Sequence, residues 1–216
     1  MEPLALYVSV PVAAFRAPYA REYLETLPCP PPATVYGMLL SLVGEENRRA
    51  HVGAEIALAM ISEPALSTVL RTSWRLKTVA PPGTASNKRP DYQELLTDVR
   101  LAVWVRPGAG EVAPRPVAER VRGAVDRVDV PERYGALALG ESTHLVDEVR
   151  RLRVSDGERG RALVQDERGD LALPIWVDHV GSRGTRWGQF SLIDVGLREA
   201  LPELAWVAIL PPELPT

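Results

Sequence analysis

A cluster of prolines near the start of the chain sets the order of its first structural elements. Residues 28–32 read PCPPP. Proline fixes φ and lacks a backbone N–H, so such a run is excluded from a helix interior and from a central strand. It can shape the entry to a helix that follows it. The chain is therefore expected to finish one regular element before these prolines and to begin a helix after them.

Hydrophobic patterns on both sides of the prolines agree with this order. In residues 4–12 large apolar side chains alternate with small or polar ones, which predicts a half-buried strand. After the prolines, the apolar residues of 34–44 recur on one helical face. Thr34 is expected to cap the start of this helix and Gly44 its end.

Further elements follow from the same periodicities. They predict strands at 54–61, 66–78, 97–106 and 134–139, a short helix at 116–125 and a β-rich stretch over 144–210. Residues 79–93, rich in Pro, Gly, Ser and Asn, form a polar tip between two strands. An extended hairpin that projects from the domain is expected there.

This order of elements is typical of an α+β fold with a ferredoxin-like layout, similar to an RNA-recognition motif. The predicted domain spans 1–142, with the protruding β-hairpin inserted at about 75–100, and a β-rich C-terminal part covers 143–216. A mixed α+β domain of no named topology is the alternative.

Composition narrows the class of protein. Hydrophobic residues make up 46% and charged residues 25% of the chain, a balance typical of a globular protein. Cys29 is the only cysteine, which excludes an intrachain disulfide or a cysteine zinc cluster and favours a cytoplasmic location. Without an apolar run of about 18 residues or a basic N-terminal region, we expect neither a membrane span nor a signal peptide. No metal-ligand motif is present, so neither metal nor cofactor is expected.

Positive charge is concentrated in two stretches, although the net charge is −3. Residues 64–90 contain no acid and hold Arg71, Arg75, Lys77, Lys88 and Arg89. Residues 179–193 also lack acids and hold Arg183 and Arg186. Chance would scatter charge in this way in some chains, but segregated cations are the pattern expected of a nucleic-acid-binding surface.

Three stretches, in this order, resemble a known family. The first stretch comprises Phe15-Arg16, Pro18-Tyr19, Arg21, Thr26 and the run PPPATVYGML at 30–39. The second is RPDYQELLTDV at 89–99, and the third is YGALALGES at 134–142. Together they resemble the CRISPR-associated "Cas five" family, including its DevS-like members, within the repeat-associated RNA-binding superfamily. The resemblance covers residues 4 to about 142.

The resemblance implies a function in antiviral defence. Such a protein would be a non-catalytic subunit of the type I CRISPR surveillance complex, Cascade. It would bind the 5′ handle of the CRISPR RNA and cap the backbone, next to the backbone subunit and the large subunit. The stretch 89–99 would be the return limb of a protruding thumb hairpin.

Three groups of residues have the chemistry that single-stranded RNA requires, which is cations, stacking surfaces and free backbone N–H groups. The first comprises Arg16, Arg21 and Thr34 around the helix start, the second Arg75, Lys77, Asn87, Lys88 and Arg89 on the hairpin, and the third Arg183, Arg186 and Trp187. Each group also has a structural explanation without RNA. The first group would only shape a helix entry with the prolines, the second would be a solvated or partner-binding loop, and the third would be an ordinary hairpin turn. The remaining tryptophans, Trp74, Trp104, Trp176 and Trp206, lie in apolar runs and are expected in the core.

Catalysis is the main functional alternative. One branch of the family cleaves RNA without metal and is associated with a Tyr and an adjacent Lys-His pair. This chain has no Lys-His dipeptide, and His51, His144 and His179 lie far apart. A metal-independent endoribonuclease would require His144 or His179 to converge with Tyr36 or Lys77. A protein-interaction module that binds no RNA is the second alternative.

Overall fold

The computed structural model describes residues 2–20, 23–74, 88–129, 131–133, 135–178 and 184–212, with the backbone alone at 73, 74, 88, 89 and 154. Within these residues the chain forms ten strands and two helices. The strands are β1 (Leu4–Ala13), β2 (Tyr23–Leu24), β3 (Glu55–Met60), β4 (Ala65–Trp74), β5 (Lys88–Arg106), β6 (Glu148–Arg151), β7 (Arg159–Gln165), β8 (Leu171–Trp176), β9 (Arg186–Gly196) and β10 (Val207–Ala208), and the helices are α1 (Pro32–Leu42) and α2 (Val117–Val125).

Helix α1 begins at the proline cluster. Pro31 is its N-cap and Pro32 its first helical residue, where the fixed φ is favourable and the missing N–H has no helical partner to lose. The prediction that Thr34 caps the helix is therefore wrong, because the prolines start the helix earlier. The predicted role of Gly44 at the other end is confirmed. Its φ is 65°, and a Cβ atom there would lie 2.1 Å from the Glu132 carbonyl oxygen.

One ten-stranded sheet, mostly antiparallel, joins the strands of the described part of the chain. Its main path runs β6-β1-β5-β3-β7-β9-β8, with β10 beside β3 and both β2 and β4 beside β5. Strand β6 pairs with β1 and β7 pairs with β3. Strands on both sides of residue 142 therefore belong to the same sheet, and a domain boundary there stays a prediction.

Both faces of the sheet are covered at its centre. On one face, the apolar residues of β1 are buried in the core that also contains α1 and α2, as their alternation predicts. On the other face, Ala59 and Ala102 are completely buried, in a cluster with Trp104, Trp206 and Leu197. The centre of the sheet is thus closed to a nucleic acid on both sides.

Strand β5 changes partner along its length. Residues 88–97 pair with β4 and residues 101–106 with β3. Between them Asp98 has a φ of 61°, which interrupts regular pairing. The Ser62 hydroxyl donates to the Asp98 carbonyl oxygen at 2.6 Å and accepts the Arg100 N–H at 2.9 Å. Ser62 thus supplies the hydrogen bonds that this irregularity removes from the ladder.

The strands predicted at 54–61 and 97–106, the helix at 116–125 and the β-rich C-terminal part are confirmed. The strand predicted at 66–78 corresponds to β4 as far as Trp74, and its remainder lies outside the described residues. The strand predicted at 134–139 is wrong. Among the described residues 135–139, Ala138 alone makes a bridge, with Leu145. The Leu139 N–H donates to the His144 carbonyl oxygen at 3.0 Å, so the segment pairs with its own turn.

The predicted core positions of Trp104, Trp176 and Trp206 are confirmed, since each is at least nine-tenths buried. The side chain of Trp74 is outside the described set. Among the described residues no helix combines the length and apolar character needed to cross a membrane.

Candidate nucleic-acid interface

The loop between β1 and α1 folds back on itself. The side chain of Phe15 is buried, as expected, and its N–H donates to Thr26 Oγ1 at 2.8 Å. Arg16 forms a bridge with Thr26. The Arg16 side chain is exposed, and its Nη2 donates to the Ala20 carbonyl oxygen at 3.0 Å. Arg16 is therefore available to an anion, whereas Arg21 lies outside the described residues.

The start of α1 offers less to a phosphate than the sequence predicts. The N–H groups of Thr34 and Val35 both donate to the Pro31 carbonyl oxygen, at 2.9 and 3.1 Å. Pro31 and Pro32 have no N–H. Ala33 is thus the one residue of this described first turn whose N–H lacks a backbone partner. Thr34 is partly exposed and can contribute its hydroxyl, but the expected set of free N–H groups is absent from this turn.

A groove of about 300 Å³ runs along the N-terminal half of α1. It is lined by Ala33, Thr34, Tyr36, Gly37, Met38 and Leu40 of α1, by Arg48, by Ala138 and Gly140, and by Val177 after β8. A Cβ atom on Gly37 would meet nothing within 4 Å. Glycine inside a helix costs about 0.5–1 kcal/mol relative to alanine, and no described internal contact requires it here. The open backbone at Gly37 fits close approach by a ligand.

Arg48 supplies the positive charge of the groove. Its guanidinium lies over the Trp176 ring, 4.0 Å from the ring centroid, and donates to the Val177 carbonyl oxygen. The Tyr36 hydroxyl donates to the Arg48 carbonyl oxygen at 2.7 Å. Burial lowers the pKa of Arg48 but leaves it cationic at neutral pH. Burial, with a smaller effect from the charge of Glu111, raises the pKa of Tyr36 to about 12, so the phenol stays protonated.

The sequence prediction did not include Arg48. Its carbonyl partner Val177 lies 129 positions away, and no local pattern connects them. The two adjacent arginines after the acidic pair Glu45-Glu46 were the only available signal.

The β4–β5 hairpin, in which 65–74 pair with 88–97, lies next to this region. The backbones of Lys88 and Arg89 pair with Trp74 and Ser73, and their side chains are not described. The predicted contacts Arg75, Lys77 and Asn87 lie outside the described residues.

The hairpin is joined to the loop before α1. Glu94 Oε2 accepts the Thr26 N–H at 2.9 Å, and Glu94 Oε1 accepts the Tyr23 hydroxyl at 3.2 Å. The Tyr23 and Tyr92 rings are 6.3 Å apart and both are exposed. This side of the hairpin is aromatic and acidic, so it suits stacking better than phosphate binding.

The β8–β9 turn reaches the groove from the other side, through Val177. The Asp178 N–H donates to Thr185 Oγ1 at 3.2 Å across the turn. Arg186 is partly exposed and Trp187 is 45% exposed, whereas Arg183 is outside the described residues. Trp187 is therefore the one tryptophan whose described ring is open to a partner.

The described histidines are engaged in structural contacts. His51 is buried, with Nδ1 2.8 Å from Glu111 Oε1 and Nε2 3.1 Å from Arg120 Nη1. His144 is also buried, and its Nδ1 accepts the N–H groups of Ala14 and Glu141, both at 3.1 Å. His179 lies outside the described residues. Within the described ranges no group of three His, Cys, Asp or Glu side chains is arranged to hold a metal ion.

Among the predicted RNA-binding residues, Thr34 is the one that lines the described groove. The α1 start with Thr34, the glycine-flanked stretch at 138–140 and the end of β8 border one groove. Arg16 lies on the loop that leads to this helix. Glu94 ties that loop to the hairpin. The groove, the loop before α1 and the hairpin are thus linked through the chain and through the Thr26–Glu94 hydrogen bond.

Similar proteins are found by sequence and by structure. No protein-family model matches the chain. The CRISPR-associated protein Cas5 of Myxococcus xanthus (strain DK1622) is 45% identical over 190 residues, covering 85% of this chain and 87% of the relative. A chain of a solved CRISPR RNA-guided surveillance complex superimposes with a TM-score of 0.60 at 15% identity, covering 90% of both chains. A solved crystal structure of a Cas protein gives a TM-score of 0.54 at 12% identity, covering 90% of this chain and 95% of the other.

Proposed function

Because the chain belongs to the CRISPR-associated Cas5 family, we propose that it is a non-catalytic subunit of a type I CRISPR surveillance complex, Cascade. In this role it binds the 5′ handle of the CRISPR RNA and serves antiviral defence. It caps the backbone of the complex and contacts the backbone subunit and the large subunit.

The observation that carries this proposal is the groove beside α1. It combines a cation at Arg48, an open helical backbone at Gly37 and a hydroxyl at Thr34 within about 300 Å³. Single-stranded RNA is held by phosphate contacts and close backbone approach of this kind. The central sheet face, which is covered by Trp104 and Trp206, offers no comparable surface.

The detailed fold assignment supports the same function. The order β6-β1-β5-β3, with every neighbouring pair antiparallel, is the order expected of a ferredoxin-like domain with α1 and α2 as its two helices. We assign the β4–β5 hairpin as the thumb. The region after about residue 142 is then a β-rich extension that continues the palm sheet.

RNA contacts are assigned to the predicted cations and rings, with Arg48 added. Thr34 lines the groove, and Arg16, Arg186 and Trp187 are exposed or partly exposed and therefore open to RNA. Arg21, Arg75, Lys77, Asn87, Lys88, Arg89 and Arg183 remain predicted contacts, carried by the charge segregation of the sequence. The exposed Leu66, Leu70 and Tyr92 on the hairpin suit the backbone subunit better than RNA. The assembly is expected in the cytoplasm.

The contacts of the described histidines favour the non-catalytic assignment. His144 uses Nδ1 for two backbone N–H groups, and His51 is enclosed by Glu111 and Arg120. Tyr36, the predicted partner for catalysis, donates its hydroxyl to a backbone oxygen. None of these groups is free to take a proton from an RNA 2′-hydroxyl.

Co-purification with the genomic neighbours of the chain tests the function. We expect a defined RNA that begins with repeat sequence to accompany the complex. Its affinity should fall with salt by about 0.7 log units per log unit of salt for each phosphate contact, as single-stranded RNA releases counterions. The Arg48→Gln variant should weaken RNA retention, whereas Arg127→Gln, away from the groove, should not.

Two results would contradict this function. A complex that assembles without RNA would identify the chain as a protein-interaction module. Cleavage of the repeat RNA by the chain in EDTA would identify it as a metal-independent endoribonuclease.

A further inference from the structure

Three polar side chains meet about midway along the paired part of the β4–β5 hairpin. Gln93 is 2% exposed, and its Nε2 donates to Glu141 Oε1 at 2.9 Å. The other end of the same amide accepts a hydrogen bond from Arg71 Nη1. The buried amide therefore holds a cation and a carboxylate side by side.

The ion pair between Arg71 and Glu141 is loose. Arg71 Nη1 lies 3.4 Å from Glu141 Oε2, and the side chains are 49% and 32% exposed. Exposed pairs of this kind contribute little to stability because both charges remain solvated. In its described hydrogen bonds, Arg71 donates through Nη1. The other N–H groups of the guanidinium can therefore donate to another acceptor.

The position of Glu141 is fixed relative to the groove. Gly140 lines the groove, and Glu141 is the next residue. The φ of Gly140 is 103°, and a Cβ atom there would lie 2.6 Å from the Ala14 carbonyl oxygen, so only glycine fits. The N–H of Glu141 is bound by His144. Arg71 is thus held at the rim of the groove, one residue beyond its lining.

We propose that Arg71 binds a phosphate of the RNA strand as that strand leaves the groove across Gly140, and that Glu141 occupies Arg71 until the phosphate replaces it. This inference rests on the proposed RNA-binding function. Carboxylate and phosphate oxygens accept from the same guanidinium donors. Glu141 therefore lowers the affinity for RNA, because a strand gains the contact with Arg71 only when its phosphate displaces the Glu141 carboxylate.

The test uses the complex assembled with the genomic neighbours, with a repeat-derived RNA as the probe, titrated over a series of salt concentrations. Arg71→Gln should weaken binding about fivefold and lower the salt dependence by about 0.7, the loss of one single-strand phosphate contact. Glu141→Gln, which keeps an oxygen for Gln93, should tighten binding about threefold, since it removes the competing charge. In the Arg71→Gln background, Glu141→Gln should have no effect.

A matched pair serves as the control. Arg151 of β6 and Asp126 at the end of α2 form an ion pair of similar exposure, with tighter hydrogen bonds of 2.7 and 2.6 Å, outside the groove lining. Arg151→Gln and Asp126→Asn should leave RNA affinity unchanged. If Glu141→Gln tightens binding equally with and without Arg71, Glu141 acts by general repulsion and the inference fails. It also fails if Arg71→Gln binds as wild type does. A wild-type complex without RNA overturns the proposed function itself.

Discussion

His144 shows how burial and hydrogen bonding of one residue support the candidate site. Its Nδ1 accepts two backbone N–H groups, from Ala14 and Glu141, which requires the neutral ring. Burial lowers its pKa below the ordinary value of 6.5, with the Arg71 charge acting in the same direction and Glu141 opposing it. The two hydrogen bonds that His144 Nδ1 accepts beside Gly140 therefore form only while His144 is unprotonated.

This arrangement predicts a pH-dependent stability. In the unfolded chain His144 takes up a proton near pH 6.5, but in the folded chain it does so only at lower pH. The stabilisation is thus complete above pH 6.5 and is lost as the pH falls toward the folded pKa, by at most about 1.4 kcal/mol per pH unit. Urea unfolding of the wild type and of His144→Gln, each at pH 7.5 and 5.5, measures this loss of stability. The variant should lose about 1–3 kcal/mol at pH 7.5 and show a smaller decrease on acidification. Equal decreases in both proteins would contradict the assignment.

Residue roles were predictable from the sequence only where they are local. The exposed arginine at position 16 and the glycine at the end of α1 followed from neighbouring residues. The prediction that Thr34 caps α1 is wrong because Pro31 and Pro32 begin the helix earlier, and the apolar periodicity after the prolines does not reveal this. Arg48 and His144 were beyond reach, since their partners lie 129 and 130 positions away.

Helix α1 contains a glycine that its own packing does not explain. Gly37 lies in the middle of Pro32–Leu42 and faces open space at the groove. A helix selected for stability alone would carry alanine there. The glycine is consistent with a ligand backbone that passes close to the helix.

Gly37→Ala should therefore separate stability from binding. We expect the free energy of unfolding to rise by about 0.5–1 kcal/mol, whereas affinity for the repeat-derived RNA falls, and Gly37→Leu should weaken binding further. Ser41→Ala, which also introduces an alanine into α1, is the control and should leave RNA affinity unchanged. Unchanged RNA affinity in both Gly37 variants would show that no ligand approaches this backbone.

Elements were predictable where apolar residues alternate over a full strand, as in β1 and β5. The stretch 134–139 has the same apolar content but is not a strand where described. Its backbone groups bond within a short turn, Leu139 to His144 and Val146 to Leu137. Single-sequence periodicity does not distinguish a strand from an apolar turn that buries Leu137 and Leu139.

At the scale of the whole molecule, the centre of the sheet is covered on both faces. The second face depends on Trp206, which packs with the alanines of β3 and β5 and has the Arg106 guanidinium 4.1 Å from its ring centroid. Large aromatic side chains bury the most area per residue. This face therefore contributes to stability, and we propose no RNA contact on it.

Trp206→Ala should destabilise the protein by about 3–5 kcal/mol, the cost of removing a buried tryptophan. Leu204→Ala, close in sequence but 61% exposed, should change stability by less than about 0.5 kcal/mol. Chemical unfolding measures both. At a temperature where the Trp206 variant remains folded, its RNA affinity should match wild type, and a selective loss of affinity would place RNA on this face instead.

The overall class, α+β with a β-rich second part, was accessible from the order of elements. The continuity of the sheet could not be predicted from the order of elements. It depends on β6 joining β1 and β7 joining β3, pairings between distant segments that no local pattern encodes. The boundary near residue 142 is where the family resemblance ends, and it stays a prediction, although hydrogen bonding joins strands on its two sides.

Strand β5 also has a mechanical consequence. It is continuous from the hairpin to the sheet centre, with its irregularity at Asp98. At about 3.3 Å per residue, a rotation of about 10° at Asp98 would move Lys88 by about 6 Å. A small change in backbone angle at Asp98, where Ser62 bonds both sides of the irregularity, would therefore produce a larger displacement at the far end of the hairpin.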